Sequence, residues 1–135
     1  MFKKMLIAIC LVGFVLSACS SSTGSIKNTQ WNLATLNNQA VLADPKVTMK
    51  LEDDKISGSD GCNSYGGSFS TSGSKFSVGK DIVSTEMACS EPIMQQSSTF
   101  YAILTHSAAY KIEDQQLTLL DAKGVPLATF TAQSK

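Results

Sequence analysis

The stretch Val47-Thr48-Met49-Lys50-Leu51-Glu52-Asp53-Asp54-Lys55-Ile56-Ser57-Gly58-Ser59 sets the fold class of this chain. Val47, Met49 and Leu51 alternate with Thr48, Lys50 and Glu52, the period-two pattern of a strand with one buried face. Asp53-Asp54 followed by Lys55 makes a polar turn, and Ile56 to Ser59 pairs back on the first strand as a hairpin.

The same period continues on both sides. Upstream, Trp31, Leu33 and Thr35 alternate with Asn32 and Ala34. Residues 36–41 then read as a strand end, a turn supplied by Asn37-Asn38, and a return. Folded structure is predicted to begin near Thr29. Downstream, Gly61, Gly66, Gly67, Gly73 and Gly79 punctuate short segments around Tyr65, Phe69, Phe76 and Val78. Glycines so placed mark bulges and bends that curl a sheet toward a barrel, and the regular aromatics argue against a disordered linker. One helix is predicted, with Ser90 as N-cap, Glu91 and Pro92 in its first turn, and an end by His106-Ser107. Ile93, Ser97, Phe100 and Leu104 fall on one face at helical spacing, with Tyr101 and Ile103 beside them. Three strands follow: one around Tyr110 and Ile112, one around Leu117, Leu119 and Leu120, and one from Val125 to Thr131. Gly124 suits the left-handed position of the last hairpin turn. Strands this close around one helix imply a mainly β (α+β) fold: an antiparallel curled sheet or small barrel with one packed helix.

The N-terminus carries an address. Lys3 and Lys4 precede an apolar run from Met5 to Val15, and small residues lead into Cys19. That order is a secretory signal, and the run is shorter than the ~20 residues of a membrane-crossing helix. Leu16-Ser17-Ala18-Cys19 resembles a bacterial lipobox, in which the cysteine is acylated and becomes the first residue. Residues 1–18 are therefore read as a lipoprotein signal peptide. Residues 19–28 are read as a flexible tether carrying lipidated Cys19, and residues 29–135 as one domain. Ser20 stands where an inner-membrane retention signal would usually be Asp, so the expected address is the outer membrane, facing the periplasm.

Removal of residues 1–18 leaves 117 residues with nine lysines, no arginine and eleven acidic residues, a formal charge of −2. No basic stripe is present for nucleic acid and no polybasic cluster for anionic lipid. Membrane attachment would fall to the acyl chains. Cys10 leaves with the signal and Cys19 takes the lipid, so Cys62 and Cys89 remain in an oxidising compartment. A disulfide between them is expected. Two buried free thiols, or half a metal site, are the other readings; no CxxC pair is present and His106 is the one histidine.

Ile56-Ser57-Gly58-Ser59-Asp60-Gly61-Cys62-Asn63-Ser64-Tyr65-Gly66-Gly67-Ser68-Phe69, followed by Ser84-Thr85-Glu86-Met87-Ala88-Cys89, resembles the META domain, the HslJ-like family of small bacterial envelope proteins. Trp31 and Leu33, the helix, Leu117-Thr118-Leu119 and Gly124 extend the likeness over residues 29–131. The motif residues are Gly61, Cys62, Asn63, Tyr65, Gly67, Thr85, Met87 and Cys89. The resemblance implies a compact β-rich domain and a loose association with heat shock, drug tolerance or secretion, and it implies no reaction. Ser64 and Glu86 stand where members often carry a basic residue, which weakens any anion site there. At fold level the family also looks like pilotin lipoproteins that hold a lipid tail.

Catalytic patterns are sparse. His106 near the helix end reads as a carbonyl cap. The chain has no Gly-x-Ser-x-Gly turn, no Ser-x-x-Lys, no calcium loop and no phosphate-cradling loop. Asp53-Asp54 and Glu113-Asp114 read as solvated hairpin tips. Asn63 is expected to satisfy a sharp turn, Thr85 and Met87 to be strand residues packing around the bridge, and Tyr65 and Phe69 to fill the barrel. The expectation is a monomeric, non-enzymatic lipoprotein without metal or cofactor, whose partner is the membrane plus an envelope protein. The alternative is a carrier of an acyl or other apolar ligand. A cavity of at least roughly 300 Å³ inside the barrel would favour the carrier.

Overall fold

A computed structural model describes residues 24–134; the signal segment and Cys19 lie outside the described residues. The elements are β1 (Gln30–Leu36), β2 (Gln39–Ala40), β3 (Thr48–Glu52), β4 (Lys55–Ser59), β5 (Ser64–Ser72), β6 (Lys75–Val78), β7 (Val83–Ser84), α1 (Glu91–His106), β8 (Ala109–Glu113), β9 (Gln116–Leu120) and β10 (Pro126–Ala132). Eight of them run antiparallel in the order β10-β9-β8-β6-β5-β4-β3-β1, and β1 pairs with β10 to close a barrel. The short β2 and β7 attach to β1 and β5. The fold is thus the small barrel with one packed helix.

The hairpin read from sequence pairs Leu51 with Ile56 and Lys50 with Ser57, and Asp53 turns it at φ 50°. Asn37 and Asn38 both take positive φ, the requirement of a tight two-residue turn. Gly124 holds φ 81° as expected.

β1 departs from strict alternation. Between Leu33 and Thr35 the β1–β10 register shifts, so Ala34 is an extra residue on β1. Such a bulge flips the side that follows. Leu36 turns inward beside Trp31 and Leu33, while the Thr35 hydroxyl stays between strands, 2.7 Å from that of Thr129.

The folded part also starts earlier than Thr29. Ile26 is buried, and its carbonyl accepts the Trp31 indole N–H at 3.0 Å. The Asn28 N–H donates to Leu51 O, and the Lys27 ammonium donates to Asp53 O. Residues 25–29 therefore cross one end of the barrel with Ile26 as its plug. The opposite end is closed by α1. Its first half lies by β2, where Gln96 accepts from Leu42 N, and Leu104 lies across the opening near Gly79 and Ile82. Phe100, Ile103, Leu104 and Ser97 are the buried helix residues; Ile93 is only half-buried, because the helix's first turn overhangs the barrel rim. Trp31, Met49, Leu51, Ile56, Phe69, Phe76, Leu117, Leu119 and Phe130 occupy the interior, each at most 4 % exposed. At about 25 cal/mol per Å² of apolar surface, burial of these side chains is the main drive to fold.

Candidate functional site

The motif residues converge where the loop between β4 and β5 meets α1. Gly61 takes φ 96°, and the chain folds back so that the Asp60 N–H donates to Asn63 O at 2.9 Å. The turn is closed by the Asp60 side chain. Its Oδ1 accepts from the N–H groups of Cys62 and Asn63, and its Oδ2 accepts the hydroxyls of Ser97 at 2.7 Å and Tyr101 at 2.9 Å. Asp60 is 1 % exposed. Burial alone would raise its pKa, but the hydrogen bonds from Asn63 N–H, the Ser97 hydroxyl, Cys62 N–H and the Tyr101 hydroxyl together outweigh that cost. They hold the carboxyl below its usual value. Four donors occupy this carboxylate, so it fastens two segments together, the loop after β4 and the helix α1.

Asn63 performs a different task from the local turn expected of it. Its Oδ1 accepts from Met87 N at 2.7 Å and from the Thr85 hydroxyl at 2.9 Å, while its Nδ2 donates to Met87 O at 3.3 Å. The amide thus substitutes for a missing strand partner along residues 85–87. Thr85 and Met87 lie beyond β7 and are not strand residues. Met87 is 59 % exposed, so its backbone, and not its side chain, serves the motif. Asn63 can clamp this segment because the disulfide joins Cys62 and Cys89, whose Cα atoms are 5.9 Å apart.

Tyr65 completes the junction. Its hydroxyl donates to Thr48 O at 3.0 Å, and its ring meets Phe100 and Tyr101 edge-on with centroids 5.5 and 5.7 Å away. Burial, with Tyr101 and Asp60 nearby, pushes the Tyr65 phenol far up; burial and the Asp60 carboxylate do the same to Tyr101. Gly67 is needed for close approach, since a Cβ there would lie 2.7 Å from Ile82 Cδ1 and 3.1 Å from its Cα.

Asp60, Ser97 and Tyr101 were not singled out from sequence as one unit. An Asp two residues before Cys62 with Gly61 between is a side-chain-closed turn signal, and Ser97 is a lone hydroxyl on an apolar helix face. His106 stands exposed at the helix end, where its Nδ1 lies 2.7 Å from Ala102 O. Among the described residues no group of three or more His, Cys, Asp or Glu side chains could hold a metal ion.

Two grooves flank α1 where it meets the barrel rim. One, of about 340 Å³, is lined by Lys80, Ile82, Ser84, Tyr101, Leu104 and Thr105. The other, of about 330 Å³, lies between β2 and α1; there the buried Gln96 Nε2 has no protein partner. The interior positions of Tyr65 and Phe69 are packed, with Phe69 against Phe76 at a centroid distance of 6.3 Å.

A closed eight-stranded antiparallel barrel, one end capped by a helix pinned through a buried carboxylate, defines the class of domain. The META domain family model matches residues 24–134, and the chain belongs to that family. An NMR structure of a protein from Burkholderia xenovorans is similar at 26 % identity, covering 82 % of this chain and 85 % of that one, with a TM-score of 0.67. A second NMR structure of a protein is 24 % identical, covers 78 % of this chain and 89 % of that one, and has a TM-score of 0.62, a likeness of fold alone. No curated protein matches this chain.

Proposed function

We propose that this protein is a non-enzymatic, lipid-anchored component of the bacterial envelope. In this reading Cys19 holds it at the outer membrane facing the periplasm, and the META domain is an accessory binding module of the envelope stress response that works through its outer surface. The observation that carries the surface-contact reading is the occupied interior. Trp31, Met49, Phe69, Phe76, Phe100 and Phe130 take the space a carrier would leave for its ligand. The lipobox-like Leu16-Ser17-Ala18-Cys19 supports the address, and Ser20 supports the outer membrane.

A second reading, a carrier of an apolar ligand, is favoured by the groove of about 340 Å³ that Ile82, Tyr101 and Leu104 line outside the barrel. Native mass spectrometry of protein extracted from the envelope separates the two. A co-purifying protein partner supports the contact module, and a retained small apolar molecule supports the carrier. Fractionation of Cys19→Ala tests the address: loss from the membrane fraction is expected, and unchanged membrane association would remove the anchor.

A further inference from the structure

We infer that the barrel end closed by residues 25–29 faces the bilayer, and that the helix-capped end is presented away from it. This rests on the lipid-anchor reading above. The first described residue, Gly24, fixes where the tether arrives: a methyl group on it would lie 3.4 Å from Ile112 Cγ2 and 3.6 Å from Asp114 O. Gly24 therefore sits at the turn between β8 and β9. From there the chain crosses to Asp53 at the turn between β3 and β4, which is the end opposite α1.

Cys19 is only five residues before Gly24, and a fully extended chain of that length spans at most about 17 Å. Along β1 the barrel rises by about 15 Å once strand tilt is allowed for, and a helix laid across its mouth adds about 10 Å. The tether is shorter than the domain is tall. It cannot pass along the barrel wall and let the helix cap settle on the headgroups.

The two ends also differ in chemistry. The tethered end shows Lys27, Asp53, Asp54, Asp114, Gln115 and Gln133, a mixed-charge polar surface that suits a hydrated headgroup layer without entering it. Among the described residues, the exposed large apolar side chains are Leu42, Val83, Met87, Met94 and Val125. Four of them, Leu42, Met87, Met94 and Val125, belong to the other end, and Val83 lies on the barrel wall between the two ends. Leu42 bonds to Gln96 of α1, Met94 is in the first turn of α1, and Met87 is held by Asn63. Val125 is in the turn between β9 and β10, and Val83 pairs with Gly66 midway along the β4–β5 ladder. The bilayer-facing end is the polar one, and every such side chain is left accessible from the aqueous side.

The test uses the full-length lipidated protein with one added cysteine, Glu113→Cys or Lys123→Cys, the native pair being bridged. Each is labelled with bimane and placed in phosphatidylethanolamine–phosphatidylglycerol vesicles containing a nitroxide-headgroup lipid. Given the ~17 Å tether limit, fluorescence should fall at least about twofold at position 113 and little at position 123. Intact mass reports acylation of each sample separately. Acylated protein quenched equally at both positions, more at 123, or at neither overturns the orientation. Protein without acyl chains removes the anchor reading, and the orientation with it.

Discussion

Asp60 and Ser97, 37 positions apart, are joined by a buried hydrogen bond of 2.7 Å from the serine hydroxyl to the carboxylate. Through it the helix that closes the barrel is fastened to the loop carrying the Gly61-Cys62-Asn63 motif. The same carboxylate organises that loop, so helix docking and loop shape are one structural unit.

Asp60→Asn puts an NH₂ donor where a carboxylate accepted four hydrogen bonds, and should cost about 2–4 kcal/mol. Urea unfolding reads this as a lower midpoint at unchanged slope. A cycle with Ser97→Ala should show coupling of about 1 kcal/mol or more. Additive effects would mean that the contact does not bind helix to loop.

Acid should weaken the fold through the same group. The Asp60 pKa lies below its ordinary value, which is near 3.9 in an unfolded chain. A depressed acid contributes stability that is complete above the unfolded value and is lost as pH falls through the folded one. Stability should hold from pH 7 to about pH 5 and drop below about pH 4, and Asp60→Asn should flatten part of that drop.

Alkali should act through the tyrosines. The Tyr65 and Tyr101 phenols are raised, so the folded state keeps protons that the unfolded chain releases above about pH 10. Stability should fall from there upward, and Tyr101→Phe should lessen the fall.

Replacing Cys62 and Cys89 together by Ala reopens a 28-residue loop, which the chain-entropy model values at about 3–4 kcal/mol. Thermal unfolding of this variant against the oxidised parent measures the loss. Thiol labelling of the native parent should find neither cysteine free.

Gly67→Ala should cost about 1–3 kcal/mol because the new methyl group meets Ile82 at the backbone. Gly124→Ala should cost about 1 kcal/mol for a different reason: nothing lies within 4 Å of the added Cβ, and the φ of 81° is the penalty. A Gly67→Ala loss well below about 1 kcal/mol in denaturant unfolding would contradict the close approach at Gly67.

The hairpin from Val47 to Ser59, the asparagine turn and the helix were legible in the sequence because each is set by neighbours. Side-chain period, turn chemistry and capping act within a few residues. The bulge at Ala34 was not legible. Thr35 and Leu36 are both acceptable inward residues, and the choice between them is made by pairing with β10, almost a hundred positions away. Burial of Ile26 escaped for a similar reason: one isoleucine among serines is a core residue only if a barrel end awaits it.

By itself the chain's order of residues determined a mainly antiparallel fold, one helix and the two cysteines of the motif as the expected pair, since these follow from local pattern and from which cysteines fall in the domain. Tertiary structure alone decided that Asp60 is the hub, that Met87 contributes its backbone and not its side chain, and that the barrel is full. Those outcomes depend on which distant donors and side chains share one small volume. Closure of the sheet settles that, and no window along the chain contains it.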